Sequence, residues 1–202
     1  MPQSDKTAMQ RSIMEATIHI VAQYGLDKTT TRLIAAEAGL NEAYLYRCFK
    51  NKEDILSESF RAVDFAFVAH LHKILPVMQL AGTTWEERCF LLWRACWEFI
   101  LKNPENCRFY IRYYYSANCK SYAYAAHLER YRPLIDAIRP AFRAETNVDM
   151  LLHQIFDTML SFAERVQTGE LPNNEETTQA TFRQVFSFVA IHACPELVRQ
   201  GG

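Results

Sequence analysis

The stretch Thr29-Thr30-Thr31-Arg32-Leu33-Ile34-Ala35-Ala36-Glu37-Ala38-Gly39-Leu40-Asn41-Glu42-Ala43-Tyr44-Leu45-Tyr46-Arg47-Cys48-Phe49 holds the signals that decide the fold. Its threonine run supplies hydroxyl N-caps for a short helix, Thr31 to Ala38, with Leu33, Ile34 and Ala38 as the expected buried positions. Gly39 ends that helix as a left-handed cap. Asn41 then caps a second short helix, Glu42 to Phe49, and the Glu42 carboxylate suits the positive end of its dipole. Leu45 and Phe49 lie four apart and, with Leu40, face inward, which leaves Glu42, Ala43, Tyr44, Tyr46 and Arg47 outward. Two short helices meeting at one glycine form a helix-turn-helix unit, whose second helix is narrow enough to enter a DNA major groove.

Outward from this unit, helical signals continue to both ends. Upstream, Ile13, Ala16, Ile20, Val21 and Tyr24 recur on one face of a helix from about Lys6 to Tyr24, stopped by Gly25. Downstream, Asn51 with Asp54 opens a long helix in which Leu56, Phe60, Val63, Phe67, Leu71 and Ile74 recur at steps of three and four until Pro76. Thr84 and Glu87 form a capping box for a helix to about Lys102, and Asn103-Pro104 starts one to about Ala117. A tyrosine-rich helical stretch from Tyr122 is expected to be interrupted by Pro133 and Pro140. Thr146 to Asp149 opens a helix to about Thr168, and a final one spans Glu175 to Cys194, limited by Pro195. Neither strand alternation nor any repeat is found, so the fold class is all-α: a three-helix module followed by a helical bundle. The expected division is residues 1–51 and residues 52–202.

Composition narrows the function classes. Half of the 202 residues are hydrophobic and 13% are aromatic, with 6 Gly and 7 Pro, a balance suited to a packed globule. Six cysteines form no CxxC pair and no apolar signal segment follows Met1, so reduced thiols and a cytoplasmic location are expected. No apolar run reaches membrane-spanning length, and no membrane partner is expected. Net charge is −1, yet seven Lys or Arg against five Asp or Glu leave +2 on residues 1–52 and −3 on the remainder. GxSxG, HExxH, Walker and Rossmann patterns are all missing, so neither catalysis nor a cofactor is expected. His70 and His72 point to different helix faces, and Cys89 and Cys96 lie two turns apart, so no metal site is expected either.

Arg11-x-Ile13-x-x-Ala16, Gly25, Thr30-Thr31, Ile34-Ala35-x-x-Ala38-Gly39-Leu40, Leu45-Tyr46-x-x-Phe49 and Lys52 together resemble the TetR family of transcriptional regulators, over roughly residues 11–56. The resemblance implies double-stranded operator DNA as partner. It implies phosphate contacts from Thr31, Arg32, Tyr46 and Lys52, and base reading by Glu42, Ala43 and Tyr44, with Arg47 also on that face. Chemically, a hydroxyl, a guanidinium and an ammonium suit phosphate oxygens, Glu42 can accept from cytosine N4, and Tyr44 can touch a thymine methyl. Bulky Tyr44, where the family often has a small residue, and Cys48, where it often has an aromatic or His, depart from the pattern.

Trp85 to Tyr131 is dense in aromatic residues, and a Tyr-Tyr-Tyr run at 113–115 spreads over too wide an arc of a helix to be buried on every face. Trp93, Trp97, Tyr110, Tyr113, Tyr114, His127 and Phe156 are the expected lining of an effector pocket for a small apolar or aromatic molecule. Helices at about 148–168 and 175–194 are apolar on several faces, as expected of a homodimer interface through the last two helices. The expected function is a ligand-responsive DNA-binding regulator, a repressor by family resemblance. The alternative is a small-molecule binding or carrier protein whose helical hairpin binds no DNA.

Overall fold

Turn residues and caps punctuate the chain into ten α-helices in the computed structural model, which describes residues 3–119 and 122–199. They are α1 (Gln3–Tyr24), α2 (Thr31–Glu37), α3 (Glu42–Cys48), α4 (Lys52–Ile74), α5 (Trp85–Lys102), α6 (Pro104–Tyr114), α7 (Tyr122–Ile138), α8 (Val148–Gln167), α9 (Glu175–Ala190) and α10 (Pro195–Arg199). No strand occurs among the described residues, so the all-α expectation holds; a single antiparallel bridge joins Phe142 to Ala193. The side chains of Tyr122 and Tyr124 lie outside the described residues.

Two compact units partition the chain: residues 1–66 with 105–128, and residues 67–104 with 129–202. In the first, α1 packs on both α2 and α3, which also pack on each other. Ile13, Ala16 and Ile20 of α1 meet Ile34 and Ala35 of α2, Leu45 and Phe49 at α3, and Ile55 at the start of α4 in one apolar core. Arg112 of α6 donates to the carbonyls of Val21 and Ala22 at 2.6 and 3.0 Å, satisfying acceptors in the last turn of α1. In the second unit α5 is central, packing on α8, α9 and α10.

The turn between α2 and α3 is a Schellman arrangement. Leu40 N donates to Ala35 O at 2.9 Å and Gly39 N to Ala36 O at 3.1 Å, with Gly39 at φ 66°. The Thr84–Glu87 capping box forms as expected. Other expectations shift. Leu33 is 45% exposed and Ala35 is buried in its place, because positions 34, 35 and 38 share the inner face of α2 and position 33 falls 100° outside it. Tyr24, counted on the inner face of α1, is 60% exposed. Pro133 does not interrupt α7: it is exposed, so water can satisfy the carbonyl that its missing N–H leaves free. The last long helix stops at Ala190, not Cys194, since Cys194 N donates to Ala141 O and Arg143 N to His192 O, drawing the chain out of helix; Pro195 then begins α10.

Space around Gly39 is open, so a side chain there meets only backbone strain. Gly39→Ala should therefore lower stability by about 1 kcal/mol, and Gly39→Asn by less, because asparagine tolerates the left-handed region better. Urea denaturation followed by circular dichroism measures both.

Candidate DNA-reading face and aromatic cluster

Capping sets the direction of each short helix. Thr30 Oγ1 accepts from Leu33 N at the start of α2, and Asn41 Oδ1 accepts from Ala43 N at the start of α3. Leu45 is wholly buried and anchors α3 to the core, while Phe49 N closes the helix on Leu45 O at 2.8 Å. The opposite face carries Ala43, Tyr44, Tyr46 and Arg47, all exposed. The sequence thus supplies one inward anchor and an outward polar and aromatic surface on a helix of seven residues.

The expected phosphate-anchoring residues differ in how free they are. Arg32 and Tyr46 lie exposed. Lys52 is half-buried, with Nζ donating to Leu26 O at 3.5 Å, which steadies the ammonium and leaves further N–H donors. Thr31, also half-buried, donates its hydroxyl to Glu42 Oε1, tying the first residue of α2 to the first residue of α3. Glu42 is therefore held inward by a partner within the protein. Arg47 lies over the ring of Tyr44, its guanidinium carbon 4.8 Å from the ring centroid. Behind this face, His19 of α1 sits between Glu37 of α2, at 3.7 Å, and Glu105 of α6, at 2.8 Å.

Four of the expected effector contacts gather in the same unit around buried Phe60 of α4, with Tyr110, Tyr113, Tyr114 and His127 at centroid distances of 5.1, 5.2, 6.3 and 5.9 Å. Tyr110 stacks on Tyr114, which meets His127 edge-on. At the polar edge His127 Nδ1 lies 3.0 Å from Asp64 Oδ1, and the Asp64 side chain is wholly buried. The other expected contacts belong to the second unit. There Trp93 stacks on Trp97 at 6.0 Å, and Phe156 packs on Phe67 at 4.9 Å. The Trp93 indole N–H is buried without an acceptor.

Sequence reasoning missed Asp64 and Arg112. A signal for Asp64 existed: it stands four after Phe60 on the apolar stripe of α4, where a carboxylate needs an internal partner. Arg112 had none, because its partners are backbone carbonyls some ninety residues away. Among the described residues no group of three His, Cys, Asp or Glu is placed to hold a metal ion, and no helix is long and apolar enough to cross a membrane.

None of the six cysteines is in a disulfide. Burial pushes the Cys89 and Cys96 thiols up from 9.0 to about 12. Since the thiolate is the nucleophile, iodoacetamide at pH 8 should leave both unlabelled in the folded protein and label both in urea, as peptide mass spectrometry will show. The folded thiols keep protons that unfolded ones lose, so their contribution to stability is present below pH 9 and is lost as pH rises toward 12.

An inner apolar anchor, an outward polar face and a glycine turn define the first unit as a helix-turn-helix module. Residues 13–58 match the family model of bacterial regulatory proteins, tetR family. A curated relative, an uncharacterized HTH-type transcriptional regulator of Haemophilus influenzae, is 28% identical over 99 residues. That match covers 49% of this chain and about half of the relative, 51%. The fold is shared with a solved TetR family transcription regulator of Marinobacter aquaeolei, at TM-score 0.76 and 22% identity, over 93% of this chain and 97% of that one. It is shared as well with LfrR of Mycobacterium smegmatis, solved in complex with proflavine, at TM-score 0.65 and 15% identity, over 89% and 95% of the chains. Residues 13–58 are thus similar to the DNA-binding module of TetR family regulators, and the whole described chain shares their fold.

Proposed function

We propose that this chain is a ligand-responsive transcriptional regulator that binds a pseudo-palindromic operator as a homodimer and is released from it by a small apolar or aromatic effector. The observation that carries the reading is the division of α3, with Leu45 wholly buried and Ala43, Tyr44, Tyr46 and Arg47 turned outward. Such a helix can enter a major groove without disturbing its own core. Thr31, Arg32, Tyr46 and Lys52 position the module on phosphate, with α3 reading bases. Residues 1–51 do the reading, and residues 52–202 bind effector and partner.

Tyr110, Tyr113, Tyr114 and His127 are the effector contacts of the first unit; Trp93, Trp97 and Phe156 are those of the second. LfrR, a neighbour in fold, was solved with proflavine, which supports a small molecule as effector. Release works by differential affinity: effector binds the non-operator conformation more tightly, and operator weakens effector in return. A route for this coupling exists inside one unit. Helix α4 carries Ile55 in the core of the reading module and Asp64 in the aromatic cluster, and α6 carries both Tyr110 and the Arg112 cap on α1. Pairing through α8 and α9 accounts for the apolar residues Met150 of α8 and Ile191 at the C-cap of α9, which are 69% and 62% exposed in the single chain.

Selection of bound duplexes from a random pool tests this reading. The expected product is a two-fold symmetric site whose half-sites are one helical turn, or a multiple of it, apart. Lys52→Ala should weaken all duplexes alike and reduce the salt slope by about 1. Enrichment of no sequence over random duplex, or a monomeric mass by light scattering at micromolar concentration, would count against it.

A further inference from the structure

Among the outward groups of α3, Tyr44 and Arg47 form one stacked object. Three residues apart on one helix face, they place the guanidinium carbon 4.8 Å from the ring centroid. Among the described residues no carboxylate pairs with Arg47. Glu42, the sole acid of α3, is engaged by the Thr31 hydroxyl. The guanidinium is thus charged, exposed and uncommitted, yet confined by the ring beneath it. Cation–π attraction at an exposed site favours the stacked arrangement over free rotamers severalfold. A guanidinium fixed in plane loses less rotamer freedom when its fork of N–H donors meets an acceptor pair.

Resting on the operator reading above, we propose that Tyr44 and Arg47 form a composite guanine reader. Two Arg47 N–H groups donate to O6 and N7 of a guanine in the major groove, and Tyr44 is the positioning residue that holds the guanidinium plane. Guanine is the base whose major-groove edge offers two adjacent acceptors matching this fork. Lysine reaches the same two acceptors, but as a point charge on a flexible stem it lacks the planar fork that the ring holds. Base reading therefore moves from Glu42, at the start of α3, to its last turn. Glu42 instead braces α2 against α3.

The test uses the full chain and its selected duplex, with binding followed by fluorescence anisotropy on that duplex and on one carrying a G·C to A·T change at the conserved guanine. Wild type should select a guanine at the same position of each half-site, and the change should weaken it about ten- to a hundredfold. Arg47→Ala, which removes the donors, should bind both duplexes nearly equally. Tyr44→Phe, which keeps a ring under the guanidinium, should discriminate like wild type, and Tyr44→Ala should lose discrimination severalfold at that position alone. Both positions are exposed, so unchanged circular dichroism and melting midpoints are expected and exclude misfolding. The proposal is overturned if Arg47→Ala keeps the guanine preference, losing affinity equally on both duplexes as removal of a phosphate contact would. It is overturned too if Tyr44→Ala discriminates like wild type. Should wild type select no sequence at all, the operator reading falls and takes this proposal with it; selection followed by indifferent variants sinks the guanine reader alone.

Discussion

Burial of Leu45 against Ile13, Ala16, Ile20, Ile34 and Ala35 is the contact on which the outward face depends. Helix α3 has seven residues, about two turns, and an isolated helix of that length does not persist in water. Its orientation is therefore a tertiary property. Removing one fully buried leucine side chain from a core costs about 2–5 kcal/mol in general, a large share of the stability of a small module. Caps at Thr30 and Asn41 and the glycine turn contribute about 1 kcal/mol each, and they govern where the helices begin more than whether they form. Once Leu45 is seated, Tyr44, Tyr46 and Arg47 have no inward position left.

Around that core, polar contacts tie neighbouring helices into one unit. Arg112 supplies N–H donors to carbonyls at the end of α1, and His19 links α1 to carboxylates on α2 and α6. The buried Asp64–His127 contact joins α4 to α7 amid aromatic rings. A buried hydrogen bond in such surroundings is strong while satisfied and costly when disturbed. Helix α4 thus takes part in both the aromatic cluster, through Phe60 and Asp64, and the apolar core around Leu45, through Ile55.

Local rules made much of this legible in the amino-acid order. The threonine run, Gly39, Asn41 and the Thr84–Glu87 box act within a few residues of themselves, and the structure uses each where it stands. Periodicity located the buried stripe of α4 because a 23-residue helix repeats its pattern often enough to be unambiguous. It misplaced Leu33 because seven residues of α2 admit two adjacent faces, and packing against α1 chooses between them. The end of α9 was illegible for another reason: bonds to residues 141–143 terminate it, and no local signal records a partner fifty residues away. The exposure of Ala43, Tyr44, Tyr46 and Arg47 on α3 followed from spacing, but the Thr31–Glu42 hydrogen bond and the Tyr44–Arg47 stack are side-chain choices that only geometry reveals.

Hydrogen–deuterium exchange of the full chain, with and without its selected duplex, tests most directly whether the face built on Leu45 is the one that meets DNA. The account predicts slowed amide exchange concentrated in peptides spanning residues 31–52. Unchanged exchange there, with protection centred on another segment, would contradict it.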